Sequence, residues 1–170
     1  ADPDLPRIAY VPQFPMSAHL YGKVLGWQPT LLHPNELMDG VLFSTVNLVA
    51  GMRNPSYFYL NNPVVGALYR CHGKEINFLG IVLSRAESET MDDKERTTSY
   101  AANLLSMMEA DGAILTFGGA GQPSVDLMLL CGKCERLGIK TTLLYPEMAR
   151  TPDDPGFSDF VAEADSIVST

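Results

Sequence analysis

Ile76-Asn77-Phe78-Leu79-Gly80-Ile81-Val82-Leu83 is a nearly continuous apolar run, the pattern of a strand covered on both faces. A helix-length segment follows. From about Asp92 to Ala110, the residues Ala101, Leu104, Leu105 and Met108 recur at helical spacing, with Asp and Glu in the first turn where carboxylates complement the helix dipole. Asp111-Gly112 breaks that helix. Ala113–Phe117 reads as the next strand, Gly118–Gln122 as a turn, Pro123 to about Leu137 as a helix closed by Gly138, and Thr141–Tyr145 as another strand. Strand, helix, strand, helix, strand is the order of a parallel sheet, because parallel neighbours need a crossover and the crossover is right-handed. The expected fold class is α/β: an open, mostly parallel sheet flanked by helices in Rossmann-like layers.

Outward from this block the pattern weakens. On the N-terminal side, Pro63 at a first helical position starts an amphipathic run through Tyr69, and Gly73 ends it as a helix C-cap would. Val41-Leu42-Phe43-Ser44 reads as a strand that Val46–Ala50 can extend, and Arg53–Asn62 reads as loop. Four prolines and two glycines between Pro12 and Pro34 predict an irregular connection with short turns at most. On the C-terminal side a Pro/Asp-rich loop precedes an expected helix near Ser158–Ala164 and a strand from Ser166 to Thr170. The organisation expected is one α/β domain over 1–170, with 1–62 an irregular strand and loop part and 63–170 the regular β/α part. The opening Ala1-Asp2-Pro3-Asp4, passing abruptly into Ile8-Ala9-Tyr10-Val11, predicts a fragment or chain of a longer precursor or complex.

Composition excludes several classes of function. The net charge of -8, with no Lys/Arg run, repels a phosphate backbone and argues against nucleic acid as partner. At 46% hydrophobic and 19% charged residues, with no apolar run near the length of a membrane span, the chain reads as globular and not membrane-bound. Three cysteines are too few for a disulfide scaffold, so a reducing, cytoplasmic setting is expected.

Ligands of open α/β sheets sit beyond the carboxyl ends of the strands. Here that selects the loops Arg85–Asp93, Gly118–Ser124 and Pro146–Gly156. Gly119-Ala120-Gly121-Gln122-Pro123-Ser124 lies where a dinucleotide fingerprint would, yet it lacks the third glycine, and Pro123 removes an amide donor. The plainer reading is a tight turn in which Gly118, Gly119, Gly121, Ser124 and Asp126 form an amide-donor loop for a substrate or partner. Cys131-Gly132-Lys133-Cys134 has redox or zinc spacing but falls mid-helix, away from the helix N-terminus that would stabilise a thiolate. A structural zinc needs four ligands, so Cys71 and His72 would have to join that pair. No metal is therefore expected, and the cysteines read as one buried and one partly exposed thiol. His19, His33 and His72 are isolated and read as structural. Asp92-Asp93-Lys94-Glu95-Arg96 is a charged helix start in the loop layer, where Glu95 or Arg96 can serve a site or a subunit contact.

Several motifs recur in a fixed order: Met38-Asp39-Gly40; Asn61-Asn62-Pro63-Val64 with Leu68-Tyr69-Arg70 and His72-Gly73-Lys74; Asn77-Phe78; Asp93-Lys94-Glu95-Arg96; Pro123-Ser124-Val125-Asp126-Leu127 with Gly138-Ile139-Lys140-Thr141. The series resembles the pyruvoyl-precursor subunit of component B of the glycine, sarcosine and betaine reductases, a family to which D-proline reductase is related. The resemblance covers nearly the whole chain. It implies a precursor that cleaves itself at a cysteine, leaving a pyruvoyl group whose carbonyl condenses with a substrate amine. A selenolate or thiolate on a partner subunit then attacks carbon and displaces nitrogen. The partners implied are a selenoprotein or cysteine-containing reductase subunit and a small amine or amino-acid-like substrate, in a hetero-oligomer.

The processing cysteine is expected within Ser44-Thr45-Val46-Asn47, and Asn47 stands in its place. An asparagine has no thiol to attack the preceding carbonyl. Two routes follow: Ser44 or Thr45 acts as an oxygen nucleophile, or the subunit stays uncleaved and serves another substrate. On either route the function expected is that of a subunit of a heteromeric, amino-acid-reductase-like enzyme cleaving a carbon–heteroatom bond of the C–N type. Ser44, Thr45 and Asn47 would then lie near the pocket, with Glu95, Arg96 and Asp126 orienting substrate or loops. The alternatives are a non-catalytic assembly subunit of such a complex, and a nucleotide-binding α/β domain.

Overall fold

The structure is a computed structural model that describes residues 2–14, 18–26, 28–44, 61–86, 89–116, 118, 121–145, 151 and 162–169. Strand β1 (Arg7–Phe14) is followed by the short strands β2 (Ala18–Leu20), β3 (Lys23–Val24) and β4 (Thr30–Leu32), helix α1 (Pro34–Met38) and strand β5 (Leu42–Ser44). The regular part comprises α2 (Pro63–Cys71), β6 (Asn77–Arg85), α3 (Met91–Met107), β7 (Gly112–Thr116), α4 (Gln122–Arg136), β8 (Lys140–Tyr145) and β9 (Ser166–Ser169). Six strands form one sheet in the order β4-β6-β1-β7-β8-β9, in which every pairing is parallel except that of β4 with β6. Strands β3, β2 and β5 form a separate antiparallel sheet.

The α/β architecture expected from the central block is therefore present. The proline-dense segment differs from its expected irregularity. Pro12 lies inside β1, and Pro29 lies just before β4, which takes an edge position where a missing amide donor costs least. The expected helix over 158–164 lies largely outside the described residues; Ala162 and Glu163 form a turn.

Alternation along the strands divides the core between the two sheet faces. Ala9, Val11 and Val82 point to one face, where Ala101, Ala102 and Leu105 of α3 and Leu127, Leu130 and Cys131 of α4 cover them. Tyr10, Phe14, Ile81 and Leu83 point to the other, against Leu37 of α1, Leu42 of β5, and Val65 and Leu68 of α2. The pairing of β1 with β6 slips by one residue, from Ile8 opposite Phe78 to Ala9 opposite Gly80. Gly80 sits in this bulge with φ 141°, and a Cβ there would come within 3.3 Å of the Leu32 carbonyl oxygen on β4.

The helix ends follow their sequences. Asn62 caps α2 by accepting from the amides of Val64 (3.0 Å) and Val65 (3.1 Å) through Oδ1. Thr90 caps α3 by accepting from Asp93 N–H. α4 starts at Gly121 without a side-chain cap, with φ 78°. No helix among the described residues is long and apolar enough to cross a membrane.

Candidate functional site

From β1 the chain first crosses to β6 on one side and later to β7 on the other, so the connections leave the carboxyl ends of β1 and β7 in opposite directions. Such a switch of strand order opens a crevice in α/β sheets. Tyr10, Gln13 and Phe14 of β1, Thr116 of β7, Gly118 beyond it and Arg85 at the end of β6 belong to this carboxyl-end region, with Phe14 opposite Arg85 in register.

Two polar side chains of β1 organise the region. Tyr10 Oη lies 3.0 Å from Thr116 Oγ1 and accepts from Asn62 Nδ2 at 3.2 Å, so one phenol joins β1, β7 and the cap of α2. Burial pushes the Tyr10 phenol above its ordinary pKa, because a phenolate there would lose its hydration, while the bonds to Thr116 and Asn62 oppose the shift. Gln13 is also buried. Its Oε1 accepts from Gly118 N–H at 2.9 Å and its Nε2 donates to the Pro123 carbonyl at 2.8 Å, fastening Gly118 and the first turn of α4 to the central strand. A Cβ on Gly118 would lie 2.6 Å from the Cβ of Gln13, so the close approach needs glycine.

This geometry decides what the expected amide-donor loop can do. Gly118 N–H is spent on Gln13, and Ser124 N–H on the Gly121 carbonyl at 3.0 Å. Ser124 Oγ is fully buried, 2.7 Å from Tyr145 Oη on β8. Asp126 is 1% exposed and pairs with Lys94 Nζ at 3.1 Å, which places it inside the α3–α4 interface. Gly121 is exposed at the start of α4, and Gly119 lies outside the described residues.

Glu95 and Arg96 both lie on α3. Glu95 pairs with Lys133 of α4 at 2.6 Å, and Lys133 Nζ also donates to the Glu95 carbonyl, Thr98 Oγ1 and Ser99 Oγ. Arg96 pairs with Asp92 one turn earlier on an exposed face, and that carboxylate holds the guanidinium above its usual pKa. Ser44 ends β5, where it lies opposite Ala18, while Thr45 and Asn47 fall outside the described residues.

The cysteine pattern is corrected in one respect: Cys131 and Cys134 are both fully buried, rather than one buried and one partly exposed. The helix turns both into the interface with the sheet, where Cys131 Sγ meets Thr141 Oγ1 at 3.3 Å. Burial lifts both thiols, Cys134 to about 12, and no thiolate chemistry follows from the Cys-x-x-Cys spacing. His72 Nδ1 accepts from Phe78 N–H and His33 Nδ1 from Asn35 N–H, two local caps. Among the described residues no group of three or more His, Cys, Asp or Glu side chains could hold a metal ion. A hollow of about 530 Å³ lies at the opposite, amino end of the sheet, between the opening turn, Arg7, Asn77 and Asp111.

Sequence reasoning passed over Tyr10, Gln13, Asn62, Arg85 and Lys94. Asn62 carries a visible signal, as a capping residue directly before Pro63. Lys94 sits in a charge-dense run in which nothing sets it apart from its solvated neighbours.

Comparison with known proteins agrees with the motif series. Residues 1–170 match the family model for glycine/sarcosine/betaine reductase component B subunits. The chain is 36% identical to the glycine reductase complex component B subunits alpha and beta of Acetoanaerobium sticklandii, over 98% of this chain and 40% of the relative. To the sarcosine reductase complex component B subunit alpha of Peptoclostridium acidaminophilum it is 34% identical, over 98% of this chain and 40% of the relative. To the betaine reductase complex component B subunit alpha of the same organism it is 33% identical, over 84% and 34%. The chain thus spans about 40% of the length of the first of these relatives. No solved structure matches it. With a match running from its first residue to its last, the chain belongs to the glycine/sarcosine/betaine reductase component B family.

Proposed function

We propose that this chain is a section of a component B-like subunit in a heteromeric reductase, and that it takes part in reductive cleavage of a carbon–heteroatom bond of the C–N type. The observation that carries the reading is the family match over residues 1–170. Support for a multi-subunit setting comes from relatives whose names place them in glycine, sarcosine and betaine reductase complexes. The substrate is a small amine or amino-acid-like molecule, and the setting is the reducing cytoplasm. A selenoprotein or cysteine-containing partner subunit supplies the soft nucleophile. Its selenolate or thiolate attacks carbon, the C–N bond breaks, and nitrogen leaves with the electron pair and takes a proton.

The residues of this chain do not fit a cysteine-derived pyruvoyl group. Asn47 stands where the processing cysteine is expected. The three cysteines lie elsewhere: Cys71 in the last turn of α2, and Cys131 and Cys134 buried in α4. In the reaction proposed here the chain binds and orients. Tyr10, Thr116 and Asn62, bonded to one another from within, brace the carboxyl end of the sheet. Gly118, Gly121, Ser124 and Asp126 lie at or before the start of α4 beside it, and Glu95 and Arg96 face neighbouring loops or the partner. Ser44 and Thr45 remain the route by which an oxygen nucleophile could process the chain, and intact-mass analysis decides that point. A break at residues 43–47 with loss of ammonia favours processing, and an unbroken chain dismisses it.

The second reading, a non-catalytic assembly subunit, is favoured by Asn47 itself. Native mass spectrometry of the purified assembly, followed by turnover of the Ser44→Ala, Thr45→Val and Asn47→Ala variants, separates the two. A tenfold or greater loss in any variant supports a catalytic part. Unchanged turnover in all three leaves only the scaffolding role.

A further inference from the structure

Two lysines cross the α3–α4 interface in opposite directions. Lys133 leaves α4 and ends on Glu95, Thr98 and Ser99 of α3, as described above. Lys94 leaves α3 and ends on α4, where its ammonium lies 3.1 Å from Asp126 Oδ1 and donates to the Gln122 carbonyl at 3.3 Å. The side chains of Lys94 and Asp126 are 4% and 1% exposed. Gln122 is the first residue of α4 and lies between Gly121 and Pro123, whose carbonyl Gln13 of β1 grips.

Stability is a weak reason for such a pair. Removing two charges from water costs about as much as their attraction returns, and well-packed apolar side chains of similar volume are commonly as stable. Register is the better reason. Apart from the bonds of Lys133, which lie about two turns further along α4, these helices share a core of small and aliphatic residues, among them Ala101, Ala102, Leu105, Leu127 and Leu130, whose attraction has no direction. An ammonium that must meet one carboxylate and one carbonyl does have a direction, and it acts at the first turn of α4.

We infer that Lys94 and Asp126 are positioning residues: their buried pair sets where α4 begins and thereby holds Gly121 and the first turn of that helix at the crevice between β1 and β7. The link to catalysis rests on the reading of that crevice as the site. The mechanical claim does not, and its test needs no substrate.

The test is amide hydrogen exchange, followed by NMR on the full chain without substrate, at Gly118, Ser124 and Val125, with Leu130 and Leu143 as reporters of global opening. In Lys94→Met/Asp126→Leu the wild-type Tm is expected to return, because apolar groups replace both charges together. Exchange at Ser124 and Val125 is expected to rise about tenfold or more while Leu130 and Leu143 keep their protection. A second variant, Asp126→Asn, keeps the shape of the site and is expected to show the same local acceleration, which covers a double variant that fails to fold. Wild-type exchange at Ser124 and Val125 in a folded double variant, or in Asp126→Asn, overturns the proposal. So does a uniform rise at all five amides of Asp126→Asn, which would make the pair a general stabiliser. If the proposal stands and turnover is nevertheless unaffected in both variants, the failure belongs to the reading of the crevice as the reductase site.

Discussion

Asp111 shows how much one contact sets a residue's chemistry. Its carboxylate accepts from the Arg7 amide at 2.7 Å, from Nε at 3.1 Å and from Nη2 at 2.9 Å, and these bonds hold its pKa at about 2 against an ordinary 3.8. A carboxylate with a depressed folded-state pKa stabilises the fold above its unfolded pKa and stops doing so as pH falls through the folded one. The stability difference between the wild type and Asp111→Asn should therefore be constant above about pH 4 and shrink towards pH 2. Urea unfolding across that range checks it, and added salt should reduce the difference, because the side chain is 47% exposed. The thiols give a second expectation. With Cys131 and Cys134 buried and their thiols lifted, iodoacetamide at pH 8 should label only the half-buried Cys71 in the folded chain, and all three after denaturation, as read by peptide mass spectrometry. At this scale the sequence was least legible. Tyr10 and Gln13 find their partners on β7 and beyond it because β1 lies between β6 and β7, and no local pattern encodes that neighbourhood.

Elements were more legible where each carries its own signals. Pro63 with Asn62 before it, the carboxylates opening α3, and Gly138 beyond α4 mark helix ends by local chemistry, and the observed ends fall within a few residues of those marks. The short strands between Pro12 and Pro34 carry no such signal, because strands of two or three residues owe their existence to a partner. The turn before α4 is intermediate: its glycines announce a turn but not the side chain that grips it. Gly118→Ala should lower stability by about 1–3 kcal/mol, since the added methyl meets Gln13 at 2.6 Å and the turn must shift. Denaturant unfolding measures that cost. A shift of the residue-118 amide resonance in the variant without loss of β7 protection would locate the strain at the contact with Gln13.

For the whole molecule, the alternation of strands and helices from Ile76 onward was enough to name an α/β sheet, and the order of that sheet was not. Strand β1 lies at its centre, with β6 on one side and β7 on the other, so the irregular-looking N-terminal part supplies the strand on which the regular part is built. Deletion of residues 1–14 should abolish cooperative thermal unfolding, since it leaves two inner edges unpaired and removes Ala9, Val11, Tyr10 and Phe14 from both faces of the core. Calorimetry of the truncated chain, with loss of the sharp transition, is the readout; a sharp transition would show that β6 and β7 can close on each other.

The contacts of β1 reach far along the chain, from Arg7 to Asp111 across 104 residues. During synthesis β1 must therefore wait until the chain has been made as far as β7, at Thr116, before both of its neighbours exist. Throughout that interval its apolar residues stay open to holdase chaperones and to misassembly with other nascent chains. Expression yield should then depend more on chaperone supply than the stability of the finished fold would suggest.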